Sequence, residues 1–278
     1  MFDVKSLEKK AIEIRKMIVD MICAANSGHP GGSLSAVDIL VSLYYGGVLN
    51  VDPKNSKDEN RDRFVLSKGH SAPALYAVLG DKGFFDKNIL NTLRKYGSPL
   101  QGHPDMNKVA GIDASTGSLG QGLSIACGMA ISAKIYKNDY RVHTILGDGE
   151  LQEGQIWEAM MTAAHYKLDN LVAVVDNNNL QIDGNVDKVM GIEPLDEKFK
   201  SFGWEVIKID GHNIKEILEA FETAKTIKNK PTVIIANTIK GKGVSFMENV
   251  CGFHGVAPTC EEKEKAFSEL NVCLGKYC

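Results

Sequence analysis

Four stretches of the chain read as short buried strands. Residues 141–146 alternate toward an apolar end, and 171–176, 204–209 and 232–237 are brief apolar runs rich in Val and Ile. Elsewhere apolar positions recur at three- and four-residue intervals. That spacing predicts helices over 4–25, 35–45, 71–80, 86–96, 119–137, 155–166, 195–202 and 214–227. The first is the clearest, because Leu7, Ile14, Met17, Ile18 and Met21 fall near helical spacing on one face.

Strands and helices alternate late in the chain, so the expected fold class is α/β, a parallel sheet with helices on both faces. No repeat or low-complexity segment divides the sequence. Residues 1–258 are read as one domain and 259–278 as a C-terminal tail. Within the tail, 261–278 is expected to form a short helix that packs locally or on a partner. Polar and charged residues with Pro53 make 51–62 a surface loop.

One strand–helix–strand unit fixes where chemistry could sit. A crossover from 141–146 through 155–166 to 171–176 is right-handed and leaves both strand ends on one edge of the sheet. Gly147-Asp148-Gly149 follows the first strand and Asn177-Asn178-Asn179 ends the second. Asp148 and Asn178 are therefore expected to converge. A carboxylate, an amide oxygen and a nearby backbone carbonyl, assigned to Leu180, suit a hard cation such as Mg2+, with Ca2+ or Mn2+ able to substitute. Gly147 and Gly149 let backbone turn tightly and approach a diphosphate. Alone, Gly-Asp-Gly reads more readily as an ordinary turn. The Asn cluster at the matching strand end tips the reading toward a site.

The histidines divide by context. His29, His70, His103 and His254 sit beside Gly or Pro and so belong to loops, where site residues concentrate. His143 and His165 fall within a strand and a helix and read as structural, as does His212 in its loop. Imidazole can donate, accept or hold a proton near neutral pH. Lys240-Gly241-Lys242-Gly243, after the last strand, reads from its residues alone as a solvated basic loop.

The run from Gly147-Asp148-Gly149-Glu150 through Glu153-Gly154 to Asp176-Asn177-Asn178 resembles the thiamine-diphosphate motif of transketolases. Ser27-Gly28-His29-Pro30-Gly31-Gly32, Asp62 to His70, Gly102-His103-Pro104 and Thr116-Gly117-Ser118-Leu119-Gly120-Gln121-Gly122 agree with it. The likeness runs from about residue 10 to about residue 258. It implies a thiamine-diphosphate-binding fold with thiamine diphosphate and Mg2+ as cofactors. It also implies transfer of a two-carbon ketol unit from a ketose phosphate to an aldose phosphate, as in pentose phosphate metabolism. By the same resemblance His29 and His103 contact sugar hydroxyls, His70 contacts cofactor and substrate, and His254 lies near the thiazolium and the reacting oxygen. Gly117, Ser118 and Leu119, at the start of a helix, contact the aminopyrimidine and thiazolium. Gly149, Asn178 and Lys240 serve the diphosphate, and Glu153 lies at a subunit contact. Many bacterial and fungal transketolases have a histidine three positions before the His-Gly pair. Cys251 stands there in this chain, which leaves His254 as the one imidazole of that loop.

A full transketolase is more than twice as long, and its catalytic glutamate lies in a pyrimidine-binding domain that this sequence does not match. The resemblance therefore implies the N-terminal subunit of a split transketolase. Such a chain is expected to dimerise, to bind a complementary C-terminal subunit as a heterotetramer, and to be inactive alone.

Composition narrows the alternatives. In 278 residues, 44% are hydrophobic and 24% charged, with a formal net charge of -3, which gives no reason to expect a nucleic-acid partner. No apolar run reaches the length of a membrane span, and the N-terminus MFDVKSLEKK has no signal-peptide core. The expected location is cytoplasmic. Six cysteines without CxxC spacing fit reduced thiols, although Cys260, Cys273 and Cys278 could bind a metal with a partner. Three other readings stand beside ketol transfer on a phosphorylated sugar. They are a related thiamine enzyme (ketol transfer on another sugar, or one like 1-deoxy-xylulose-5-phosphate synthase), a non-catalytic scaffold, and a dinucleotide-binding oxidoreductase. The last lacks a GxGxxG between an early strand and helix.

Overall fold

In the computed structural model residues 3–277 are described. Met1, Phe2 and Cys278 lie outside them, and with Cys278 goes its reading as a metal-binding thiol. The helices are α1 (Val4–Ala25), α2 (Pro30–Ser35), α3 (Val37–Tyr45), α4 (Ala72–Lys82), α5 (Gln121–Tyr136), α6 (Gly154–His165), α7 (Val186–Met190), α8 (Leu195–Ser201), α9 (Ile214–Thr226) and α10 (Cys260–Leu274). The strands are β1 (Arg63–Leu66), β2 (Val142–Gly147), β3 (Leu171–Asn177), β4 (Leu180–Gln181), β5 (Gly184–Asn185), β6 (Glu205–Asp210) and β7 (Thr232–Asn237).

Five strands form one parallel sheet in the order β1-β2-β3-β7-β6, and β4 and β5 make a small antiparallel ribbon. After β3 the chain runs to the far edge and returns to place β7 beside β3. The winding thus reverses at the edge strand β6, which leaves β3 and β7 adjacent though not consecutive, and the carboxyl ends of such strands are where open α/β sheets form a crevice. Alternate side chains feed opposite layers. Ile145, Val172 and Val174 join α1, α3, α4 and α9 on one face, while Leu146, Ala173 and Val175 join α5, α6 and α8 on the other. The expected sheet with helices on both faces is what forms.

The sequence reading needs several corrections. β1 is a fifth strand, paired with β2 from Arg63 opposite Val142. Over 86–96 the chain makes only a 3-10 turn, Lys87–Thr92, and Arg94 then adopts a left-handed backbone at φ 58. The 119–137 helix begins only at Gln121, because Gly120 is left-handed at φ 85. Residues 35–45 split at Ala36 into α2 and α3. Tail helix α10 opens with a capping box, in which Thr259 and Glu262 exchange bonds, and buries Ala266 and Leu270 in the core beside α1.

A buried polar cluster ties α1 and α3 to the loops after β6 and β7. Arg15 forks onto Asp38 at 3.1 and 2.6 Å, and its Nε donates to the Lys242 carbonyl. The backbone N–H of Ile239 donates to His212 Nε2 at 2.8 Å, so the ring proton sits on Nδ1, 2.7 Å from Asp38. Burial alone would raise the Asp38 carboxyl, but Arg15 and His212 hold it below the usual range. His212 is structural, as expected.

His143 is structural in a different sense. It is buried in β2, its ring meets Phe221 edge-on at 5.5 Å, and neither ring nitrogen has a partner among the described residues. Burial, then Arg141 and Lys225, push its pKa down from 6.5 to about 3. The unfolded chain therefore binds a proton below 6.5 that the fold refuses, and stability falls as pH drops through that window. His143→Leu removes this penalty. From about pH 7 to about pH 5 the unmodified protein is expected to lose about 2 kcal/mol more stability than the variant. Denaturant titrations at the two pH values check it, and equal losses in both proteins would contradict it.

Candidate functional site

The carboxyl ends of four strands open into one cavity of about 360 Å3. The segment after β1 brings Lys68 and His70, that after β2 Asp148 and Gly149, that after β3 Asn178 and Leu180, and that after β7 Lys240. His29, His103, Gly117, Leu119 and His254 line it from neighbouring loops. Ser118 alone of the expected site residues does not line the cavity. It is exposed, and its carbonyl accepts from the Gln121 N–H at 3.3 Å.

Three buried charges that sequence reasoning missed hold the strand ends in register. Asp176, fully buried at the end of β3, accepts from Lys68, from Ser35 Oγ at 2.6 Å and from Thr238 Oγ1. Burial alone would raise its pKa, but Lys68 and the two hydroxyls hold it below the usual carboxylate range. Glu150 accepts from Ser67 Oγ, from the Gly120 N–H at 2.9 Å and from the Gly147 N–H at 3.0 Å. It pins the ends of β1 and β2 and the turn before α5 to one another. A buried Lys and two buried acids within family motifs were the available signal.

Four histidines face the cavity as neutral rings. The His29, His70 and His254 centroids form a triangle with sides of 5.3, 5.4 and 5.2 Å. Desolvation, followed by neighbouring cations, lowers His29 to about 4, His254 to about 3 and His70 well below 6.5. His103 is lowered more gently, by burial and Arg94. The Tyr76 hydroxyl holds its loop between the Gln101 and His103 carbonyls, at 3.0 Å from each. Gly117, at φ 142, leaves room for that imidazole, since a Cβ there would lie 2.9 Å from the ring. At neutral pH these rings donate and accept hydrogen bonds rather than present charge.

The floor of the cavity brings hard oxygen donors beside a buried ammonium. Asp148 is buried and accepts from the Gly149 N–H at 2.7 Å and from the Asn179 N–H. Burial, then Asp176, raises its pKa to about 6. The Asn178 Oδ1 accepts from the Leu180 N–H at 3.2 Å. Among the described residues no group of three or more His, Cys, Asp or Glu could hold a metal. The available set is one carboxylate, one amide oxygen and one carbonyl, and these hard oxygens fit a Mg2+-type ion. Lys240 Nζ donates to the Leu180 carbonyl at 3.0 Å and to His254 Nδ1 at 2.8 Å. The ammonium thus shares the Leu180 oxygen with any cation bound there, and a diphosphate would give it an anionic partner in place of that carbonyl. Burial, then Lys68, lowers Lys240 to about 8. The basic loop of the sequence reading is thus a buried ammonium inside the site.

Comparison with known proteins agrees with this geometry. The chain matches the family described as transketolase, thiamine diphosphate binding domain, over residues 7–271. It is 42% identical over 273 residues to an apulose-4-phosphate transketolase subunit of Phocaeicola vulgatus, covering 98% of this chain and 96% of that protein. It is 47% identical over 264 residues to the 6-deoxy-6-sulfo-D-fructose transketolase subunit SqwG of a Clostridium species, covering 95% and 96%. The crystal structure of Campylobacter jejuni transketolase superposes with a TM-score of 0.90 at 38% identity. The match covers 95% of this chain but 42% of that one, so this chain spans less than half the length of that relative. The chain belongs to the transketolase family and corresponds to its thiamine-diphosphate-binding domain.

Proposed function

We propose that this chain is the diphosphate-holding subunit of a two-subunit transketolase that moves a two-carbon ketol unit between sugar phosphates. The observation behind this reading is the convergence of Asp148, Asn178, Leu180, Lys240 and four neutral histidines on one cavity. Relatives matched along 96% of their length are themselves named as transketolase subunits, which supports a separate partner chain.

Thiamine diphosphate, when bound, supplies the carbanion chemistry. The chain's own residues bind and orient. Asp148, Asn178 and the Leu180 carbonyl would hold Mg2+, while Lys240 with Gly149 would meet the diphosphate. Gly117 and Leu119 would border the rings of the cofactor, with the exposed Ser118 between them on the rim. His29 and His103 would hold sugar hydroxyls, His70 would touch both cofactor and sugar, and His254 would lie beside the reacting oxygen. A complementary C-terminal subunit would supply the carboxylate that works on the aminopyrimidine. Exposed apolar side chains beside the site, Ile182 at 67% and Met190 at 62%, support such a partner. Dimerisation of this chain, a heterotetramer and a cytoplasmic location complete the proposal. None of the described helices is long and apolar enough to cross a membrane.

A second reading concerns the sugar. Pentose phosphates are the ordinary substrates of the resemblance, but the two subunit relatives are named for apulose-4-phosphate and 6-deoxy-6-sulfo-D-fructose. Those names favour ketol transfer on a less common ketose. Turnover of xylulose 5-phosphate with ribose 5-phosphate, set against turnover of each named sugar, decides between the two.

Asp148→Asn in the assembled complex removes the one charged ligand. Cofactor affinity in Mg2+ should fall more than about 100-fold, beyond the 10–100-fold typical of outer-sphere partners. Asn178→Ala should cost less, because water can replace a neutral oxygen. Calorimetry reads both, and unchanged affinity in Asp148→Asn would refute the metal assignment.

Expressed alone, the chain should bind cofactor weakly and transfer no ketol unit. Adding the partner should restore both while burying roughly 1,200–2,000 Å2 or more per interface. Full activity from this chain, shown free of partner by mass spectrometry, would sink the split-subunit reading.

A further inference from the structure

Arg94 lies outside every motif that marked the site and does not itself line the cavity, yet its guanidinium reaches His29 in the cavity wall from behind. One terminal nitrogen is 3.3 Å from His29 Nδ1 and the other donates to Ser27 Oγ at 3.2 Å. Both are spent on a ring and a hydroxyl rather than on a carboxylate. The Nε is buried with no hydrogen-bond partner among the described residues, a cost that buried donors are rarely left to bear. Arg94 also keeps a left-handed backbone at φ 58, fixed by its N–H to the Leu100 carbonyl at 2.8 Å. A side chain held in place against strain and without its full set of partners points to a role for its position.

The room for it comes from Gly102. A Cβ at Gly102 would lie 2.9 Å from the guanidinium carbon and 2.9 Å from one of its nitrogens. Gly102 has no left-handed φ, so backbone freedom is not what that position requires. What it requires is space for the guanidinium.

Arginine can only donate hydrogen bonds. His29 Nδ1 must therefore accept, and the ring proton must sit on Nε2. We propose that Arg94 is a positioning residue that fixes His29 as the neutral Nε2–H tautomer, a donor for a substrate hydroxyl, and that Gly102 is the space that lets it do so. This rests on the ketol-transfer reading for the identity of the hydroxyl, but the tautomer itself does not depend on that reading. The other groups facing the ring are His103, Lys240 and Lys68, with His70 and His254 packed ring to ring. None of these is shown hydrogen-bonded to Nδ1, so Arg94 is the group that selects the tautomer.

The test uses ring-15N histidine NMR on the full chain, with His29 assigned by its loss in His29→Gln. In the unmodified protein His29 should be Nε2-protonated and titrate near 4. In Arg94→Met and in Gly102→Ala the tautomers should mix, and in Arg94→Met the titration should also rise while staying below 6.5, because burial, the largest cause of the depression, remains. Arg94→Lys, which keeps a donor, should restore the Nε2–H form in part. In the assembled enzyme kcat/KM should fall roughly tenfold in both disabling variants while cofactor affinity holds, as expected for a misplaced contact. Its acid limb should move up with the His29 titration. Gly102→Ala guards against a folding artefact, because it meets only the far end of a flexible side chain. An unchanged His29 tautomer and titration in both disabling variants would overturn the proposal. Because the ring is read on the chain itself, that result counts whether or not ketol transfer is detected.

Discussion

A single buried carboxylate organises this molecule. Asp176 ends the central strand with no exposed surface, and Lys68, Ser35 and Thr238 bind it from three other segments of the chain. An isolated charge there would be prohibitive, so the four segments are obliged to meet. Removing one member of a buried pair costs about 3–5 kcal/mol, because the other charge is left uncompensated. Burial, and after it this same carboxylate, raises Asp148 nearby, so the structural acid also bears on the charge of the proposed metal ligand. Scaffold and site are one electrostatic unit.

Above that floor the cavity is arranged to donate hydrogen bonds. Burial and nearby cations keep four imidazoles neutral, and two of them have Nδ1 beside a cationic donor, Arg94 for His29 and Lys240 for His254. Each of these two rings therefore carries its proton on Nε2. Such an array can grip oxygens of a sugar and change little when charge moves, as preorganised electrostatic stabilisation requires. On the proposed reading the chain holds and orients, while the partner supplies the group that exchanges the proton.

The sheet was legible because buried parallel strands announce themselves as Val- and Ile-rich runs, and the crossover rule then joined Asp148 to Asn178. β1 was not, because its four residues begin at Arg63 directly after a charged loop. The helix expected over 86–96 fails at Arg94, whose left-handed turn depends on the distant Leu100 carbonyl. The helix expected from Leu119 starts late because Gly120 is left-handed, its N–H taken by Glu150 from thirty residues on. Lys68, Glu150 and Asp176 stand inside the family motifs, but their structural role was hidden for a related reason. Charge in sequence normally means surface, and only the assembled fold shows Lys68 paired with Asp176 inside, and Glu150 satisfied by a hydroxyl and two backbone N–H groups.

The central claim is that this chain holds the anionic, metal-bound end of the cofactor, on a floor built around Asp176. Calorimetric titration of the purified chain with inorganic diphosphate and with thiamine, each with and without Mg2+, tests it directly. The account predicts heat of binding for diphosphate, weak in the absence of the partner, only when Mg2+ is present, and none for thiamine. Binding of thiamine without its diphosphate, or of diphosphate regardless of Mg2+, would contradict it.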